Sequence, residues 1–375
     1  MEICLIEANM TGLHHIPINS LIISMILSLY HDSNIGLFCS EEHYENLNIN
    51  KQLVKFTPIK VLQPGTKRIQ KFFLEYNQTK RIIETSHADL FILLSSFPNV
   101  QYFLTKLLKK RTDKKVLLIT HGEMEGLRMT GKWKIWSYPF WVHLCSKINP
   151  PKNLNRLVLG ENIAVNMKKY KNFQNVFFIN HPLQISDTEF ISPSKNHNIF
   201  GYVGSLLKNK GVGCLQKAVN TMKKESQSYF EIVGSHNLDI SHNLKKLHIN
   251  SPKGEMLSKQ KYNDLLKRIT YACFPFPSDS YKYTASGAVL DAINFLKPII
   301  YIGNDYFDYL FKDAGNIGYR CKDENEFVHQ IIHIDENINH LEYEKQVANL
   351  KILRSKLTLT EIQKGLNLIL NSLIR

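Results

Sequence analysis

The sequence predicts an α/β chain of two Rossmann-like domains facing a central cleft, and three observations carry that expectation. Short apolar runs of strand length alternate with amphipathic stretches almost throughout, the pattern of βαβ units built on a parallel sheet. The alternation is interrupted once, by the polar stretch SDTEFISPSKNHN at residues 186–198, and then resumes. At 375 residues the chain also exceeds the size at which a single hydrophobic core stops growing.

In the first series, residues 3–7, 35–39, 53–56, 90–94, 116–120, 156–159 and 176–179 read as buried strands. Residues 20–30, 67–83 and 100–110 read as amphipathic helices between them. After His181 and Pro182 the composition turns polar, which marks the linker. The second series opens at Ile199, with strands expected near 230–233, 247–249, 272–276, 299–302 and 318–321. The last fifty residues lack such runs. Leu353, Leu357, Ile362, Leu366 and Leu370 recur there at helical spacing. The expected domains are therefore residues 1–190 and 196–355, with 356–375 a terminal helix.

Composition fits a cytoplasmic globular protein: 43% of residues are hydrophobic and 21% charged. Cys4, Cys39, Cys145, Cys214, Cys273 and Cys321 are scattered without C-x-x-C pairs and read as reduced core residues, neither a disulfide framework nor a zinc site. Glu2 and Glu7 at the start, without a basic segment, argue against a secretory leader. The longest apolar stretch, residues 21–30, falls far short of the roughly 20 residues of a membrane span. A soluble or peripheral protein is expected.

Two stretches carry phosphate-binding chemistry. In FGYVGSLLKNKGV (residues 200–212) an apolar run stops at Gly204, a polar loop with Ser205 and Lys208 follows, and Lys210 and Gly211 open an amphipathic segment. Glycine lets a ligand approach the backbone, a helix start offers unpaired N–H groups, and lysine adds a full charge. A pure topological turn would look similar, so the second stretch matters. The run YACFPF (271–276) leads through a polar loop with Tyr283, Thr284 and Ser286 to Gly287 and a helical segment bearing Asp291, then to KPIIYI (297–302). Thr284 or Ser286 can cap that helix, and Gly287 leaves its first amides open to an anion. Asp291, about one turn inside, can accept hydrogen bonds from sugar hydroxyls.

The order of Gly204, Ser205, Lys210 and Gly211, then Gly234 closing FEIVG, then Ser286, Gly287 and Asp291 before KPII resembles the donor half of GT-B glycosyltransferases. It is most similar to the family 4-like bacterial enzymes of capsule, O-antigen and exopolysaccharide assembly. The resemblance covers residues 196–322 well and residues 1–195 mainly through the order of elements. It implies a GT-B fold whose final helix crosses back to the first domain. It implies a nucleotide-sugar donor of the UDP or GDP type as substrate, no cofactor, and no bound metal, in keeping with the lack of an Asp-x-Asp motif. It also implies that Lys210 grips the diphosphate and Asp291 the ribose. Two departures stand out: Ser205 occupies the usual arginine position, and Tyr283 the position of the glutamate that meets the donor sugar.

The first domain is then expected to hold the acceptor, a glycan or a lipid-diphosphate-linked sugar. After the first strand comes ANMTGLHHIPINS (residues 8–20), at the strand end where open sheets bind ligands. His14 or His15 could act as base or phosphate contact, or simply pack. The run THGEMEG (120–126) also follows a strand. The resemblance implies a histidine here that meets the donor sugar, which singles out His121. Glu123 and Glu125 are candidate bases or acceptor ligands, with solvated helix-start acids the bland alternative.

A formal net charge of +14 needs a partner. Bases cluster at Lys67, Arg68, Lys71, Lys80 and Arg81 and at Lys106, Lys109, Lys110, Arg111, Lys114 and Lys115, just before Trp133, Trp136 and Trp141. Lysines beside aromatics suit an anionic membrane surface, and the inner face of the cytoplasmic membrane is the expected location. A lysine-rich genome would give the same count. The rival readings are a basic nucleic-acid-binding protein, for which no motif is present, a GT-B sugar-nucleotide epimerase, and a scaffold without catalysis. No nucleic-acid partner is expected.

Overall fold

Strands buried on both faces read as continuous apolar runs and not as alternating ones, and such runs form most of the central strands of two sheets in this chain. The computed structural model describes residues 1–63, 65–131, 133–135, 137–185, 194, 196–237 and 245–374. Of the polar stretch 186–198, residues 186–193 and 195 lie outside the described residues. The chain forms two compact units. Unit 1 comprises Met1–Gln184, Lys282–Ala285 and Leu357–Arg375, and unit 2 comprises Ile185–Tyr281 and Ser286–Lys356.

Unit 1 carries strands β1 (Glu2–Ile6), β2 (Asn34–Cys39), β3 (Lys55–Pro58), β4 (Leu90–Leu93), β5 (Val116–Thr120), β6 (Leu154–Val158) and β7 (Val176–Phe178). Their order in the sheet is β3-β2-β1-β4-β5-β6-β7, and the pairings are parallel. Helices Arg68–Thr85 and Pro98–Lys110 cover one face through Phe72, Ile83, Val100, Leu104 and Leu108, packed on Ile6, Phe91, Leu93 and Val116. Burying each such side chain contributes about 1.5–3 kcal/mol. The terminal helix Leu359–Ile374 packs on helix Ile16–Leu29. It buries Ile362, Leu366 and Leu370, and the Tyr30 hydroxyl donates to Asn371 Oδ1 at 3.3 Å.

Unit 2 carries β8 (Ile199–Val203), β9 (Tyr229–Val233), β10 (Leu247–Ile249), β11 (Tyr271–Phe274), β12 (Ile299–Ile302) and β13 (Gly318–Cys321). The order β10-β9-β8-β11-β12-β13 is again parallel throughout. Each sheet therefore reverses its strand order once, between β1 and β4 in unit 1 and between β8 and β11 in unit 2. Loops at the carboxyl ends of those strands are where open α/β sheets bind ligands. The fold is the two-domain, parallel-sheet α/β architecture expected from the sequence.

Most strands fall within one residue of the expectation, and three depart from it by two residues, each for a local reason. Asn50 accepts a hydrogen bond from Gln52 N and caps a 3-10 turn at Lys51–Leu53, so β3 begins at Lys55 and not at residue 53. Strand β11 stops at Phe274 because Pro275 has no N–H to give the ladder. Strand β6 begins two residues before the expected 156, since Leu154 pairs with Val116.

Candidate functional site

In unit 2 the loop after β8 is shaped by contacts that only glycine permits. Gly211 caps helix Val212–Thr221 with φ 72°, and a Cβ there would run into the Pro275 carbonyl of the loop after β11. Gly234, at the end of β9 with φ 155°, lies against the Gly204 carbonyl in the same way. Three loops are thus drawn together over the switch point. Lys210 is half-buried here. Its ammonium lies 3.4 Å from the Tyr281 hydroxyl and over the Phe276 and Tyr281 rings, while its carbonyl accepts from the Tyr202 hydroxyl at 3.1 Å. Tyr281 itself has φ 59°, a left-handed conformation uncommon outside glycine. Ser205 is exposed and its Oγ accepts from Ser235 Oγ at 3.0 Å; Lys208 is exposed.

Helix Gly287–Asn294 starts at the other side of the switch point. Of the two expected caps, Ser286 takes the role: it is buried and its Oγ accepts from Val289 N. A Cβ on Gly287 would meet open space, so this first turn stands free. Asp291, one turn further, is partly buried and its Oδ2 accepts from the Tyr262 hydroxyl at 2.7 Å. Burial pushes its carboxyl up to about 6, against the hydrogen bond from Tyr262. Tyr283 and Thr284 belong to unit 1. The Tyr283 N–H donates to Glu125 Oε1 at 2.7 Å, and its buried phenol lies 3.5 Å from the Tyr170 hydroxyl. Thr284 Oγ1 would be 3.4 Å from a Cβ on Gly122.

In unit 1 the loop after β1 folds around a buried carboxylate. Glu7 Oε1 accepts from the Asn9 and Met10 N–H groups at 3.1 Å each and from Ser95 Oγ at 2.6 Å, and Oε2 accepts from Asn19 Nδ2 at 3.0 Å. The loop ends at His15, whose φ of 59° sets the start of helix Ile16–Leu29. His14 is exposed, whereas the His15 ring packs 4.5 Å from that of His121. His15 Nδ1 is buried without a hydrogen-bond partner.

His121 opens the loop after β5. Its Nε2 lies 2.8 Å from the Leu94 carbonyl, which can only accept, so the proton sits on Nε2 and Nδ1 presents a lone pair. Burial and the neighbouring His15 push its pKa down to about 3, so the ring is neutral at ordinary pH. A group so far from working pH is a poor proton carrier and a good fixed hydrogen-bond acceptor. Glu123 is different: burial raises its carboxyl to about 7. Both its oxygens are engaged, Oε1 by Gln101 Nε2 at 3.2 Å and Oε2 by His121 N–H at 2.9 Å. Glu125 pairs with Arg128 Nε at 2.9 Å. His181, held by its Nδ1 to the Pro182 carbonyl, is pushed down to about 4 by burial.

Of the basic and aromatic residues, Lys109 and Lys110 are exposed at the end of helix Pro98–Lys110, and Arg111 pairs with Asp113. Trp141 packs on Tyr102 and Phe103, and Trp133 is half-buried; Trp136 lies outside the described residues. The exposed apolar side chains nearby are Ile69, Phe73, Met129 and Ile135. Among the described residues no cluster of three His, Cys, Asp or Glu side chains could hold a metal ion.

Sequence reasoning missed Tyr262, Tyr281, Glu7 and Gln101 as site components. Tyr262 shares a helical face with the buried Leu265 and Leu266, where a tyrosine reads as core packing, and the bond of Glu7 to Ser95 reaches across 88 residues. Only the position of Glu7 at a strand end pointed to it.

No protein-family model and no curated protein matches the chain. Solved structures do. HepE of Anabaena, in complex with UDP-glucose, superposes with a TM-score of 0.65 at 11% identity, over 99% of each chain. Sucrose-phosphate synthase from Thermosynechococcus elongatus gives a TM-score of 0.71 at 11% identity, covering 100% of this chain and 99% of the other. WaaG, a glycosyltransferase of lipopolysaccharide biosynthesis, gives 0.64 at 11%, covering 98% and 99%. Across its whole length the chain has the fold of the GT-B glycosyltransferases.

Proposed function

We propose that this protein is a glycosyltransferase that moves a hexose from a nucleotide sugar, of the UDP or GDP type, to a glycan or lipid-diphosphate-linked acceptor in surface-polysaccharide assembly. One observation carries the reading: Lys210, the free first turn at Gly287 and the Asp291 carboxylate all sit on loops and helix starts over the switch point of one sheet. Lysine charge and open amides suit a diphosphate, and a carboxylate suits ribose hydroxyls. The likeness in fold to HepE, solved with UDP-glucose, and to WaaG supports it.

In the transfer, the bond from the anomeric carbon to the diphosphate breaks, and the nucleoside diphosphate leaves with the electron pair. A bond to the acceptor oxygen forms as its proton departs. Lys210 and the amides of the Gly287 turn stabilise the leaving charge without a metal, so activity should survive excess chelator; an activity restored only by magnesium or manganese would remove this point. His121 offers a fixed neutral acceptor for a sugar hydroxyl, and Glu123 is the group whose pKa suits proton transfer. The acceptor is supplied at an anionic membrane surface on the cytoplasmic side.

A thermal-shift screen over UDP- and GDP-sugars tests the reading. The right donor should stabilise the protein by about 2.7 kcal/mol at a hundredfold excess over its dissociation constant. No stabilisation by any nucleotide sugar or nucleoside diphosphate would overturn it.

A further inference from the structure

We propose that the Tyr262 hydroxyl is a positioning group for ribose recognition: it holds one oxygen of the Asp291 carboxylate and leaves the other to the sugar hydroxyls of a bound nucleotide. The proposal rests on the nucleotide reading above and adds to it a residue from a different element. Tyr262 lies on helix Lys259–Arg268, whose start is fixed by Ser258 Oγ accepting from Lys261 N. Asp291 lies on helix Gly287–Asn294. The carboxylate is therefore held from outside its own helix.

The O–H···O distance of 2.7 Å is that of a charge-assisted hydrogen bond. A carboxylate has about four acceptor positions over two oxygens, so with Oδ2 held, Oδ1 keeps its full capacity for ligand hydroxyls. The terminal torsion of aspartate is broad and roughly two-fold. Without the phenol the carboxylate would have to be ordered by the ligand itself, at the ligand's cost in affinity. Two charged or titratable groups on the elements packed against this helix are engaged elsewhere. Arg354, from helix His340–Lys356 packed on this helix, donates to the Asn294 carbonyl at 2.9 Å, and Tyr202 of β8 donates to the Lys210 carbonyl.

This arrangement has a pH signature. Burial raises the Asp291 carboxyl to about 6 and the Tyr262 bond opposes that rise. Ribose hydroxyls donate to the ionised form, so nucleotide affinity should fall as pH drops through about 6. Removing the phenolic hydroxyl lifts the carboxyl further and moves that inflection to higher pH.

The test is calorimetric binding of UDP and of GDP between pH 5.5 and 8.5 to the wild type, Tyr262→Phe, Asp291→Asn and the double variant, with melting temperatures alongside. The Asp291→Asn profile supplies the titration of the ligand's own phosphate, whose pKa is also near 6. Tyr262→Phe should weaken binding about tenfold near pH 6.5, as expected for one hydrogen bond to a charged group, and less at pH 8.5. It should add nothing in the Asp291→Asn background. A loss equal at every pH, or one that persists in Asp291→Asn, would overturn the proposal and place the phenol on the ligand or in the fold. Failure of both nucleotides to bind the wild type would instead remove the nucleotide reading itself.

Discussion

Lys210 and Glu75 show how one side chain's surroundings set its energetic role. The Lys210 ammonium rests on aromatic faces and a tyrosine hydroxyl, neutral partners that would leave its charge to meet the proposed anion. Lys210→Ala should weaken nucleoside diphosphate binding by roughly 1.5–3 kcal/mol, the worth of one charge-assisted contact. Unchanged affinity in a titration would remove it from the site. Glu75 is the opposite case, a carboxyl whose charge is unwelcome. It is buried in helix Arg68–Thr85. Its Oε1 accepts from Ser96 Oγ and Phe97 N, and its Oε2 has no partner. Burial raises its pKa to about 8. The sign follows from proton counting. Between about pH 4.5 and 8 the folded state keeps a proton that the unfolded state has lost, so stability falls as pH rises through that window. Glu75→Gln, which keeps the shape and never ionises, should raise the melting temperature at pH 8, by on the order of a few kcal/mol in stability, and change little near pH 4.5. An equal effect at both pH values would mean that the carboxyl is not held neutral.

At the scale of elements, the loop after β8 depends on backbone proximity, and that makes two glycines sharply unequal. Gly234→Ala places a methyl against the Gly204 carbonyl in a left-handed conformation, which should cost more than the ~1 kcal/mol range of an unstrained glycine exchange and lower nucleotide affinity with it. Gly213, in the first turn of helix Val212–Thr221, has open space around its missing Cβ, and Gly213→Ala should stabilise by about 0.5–1 kcal/mol. Thermal melts of the two variants, with binding measured on each, decide the point; equal effects would deny the close approach. What the sequence made legible follows the same division. Strands such as β4, β5 and β12 were visible because burial on both faces leaves an unbroken apolar run. The turns at Gly204–Gly211 and Ser286–Gly287 were visible because their chemistry is local. Helices Glu41–Asn46 and Tyr138–Lys147 were not. The first is a single polar turn and a half. The second is rich in aromatics whose partners, Tyr102 and Phe103, lie some forty residues earlier. The site's supports were hidden for the same reason: the bond from Tyr262 to Asp291 spans 29 residues and that from Ser95 to Glu7 spans 88. Separations of that kind carry no periodic signal.

At the scale of the molecule, a net charge of +14 leads us to propose an anionic partner beyond the proposed nucleotide. In unit 1, helices Arg68–Thr85, Pro98–Lys110 and Tyr138–Lys147 pack side by side. The second and third contain no acidic residue. Exposed Phe73 and Ile69 lie on the first, and exposed Lys106, Lys109 and Lys110 on the second. Lys106 sits over the Tyr102 and Phe103 rings, and Trp141 from the third helix packs beneath them. On the proposed membrane reading, the apolar side chains this face would offer are Ile69 and Phe73 more than Trp141, whose ring is engaged in packing. Each lysine or arginine near an anionic surface contributes about 1 kcal/mol, so four or five acting together give reversible binding. Phe73 adds apolar burial that salt does not screen. Co-sedimentation with vesicles should accordingly require anionic lipid, weaken as ionic strength rises, and weaken further when Lys106, Lys109 and Lys110 are changed to glutamine. Phe73→Ser should lower binding at all salt concentrations by a similar factor, since its contribution is hydrophobic. Equal binding to neutral and anionic vesicles would shift the interaction to the apolar side chains alone. Absence of binding to either would separate the charge excess from membranes altogether.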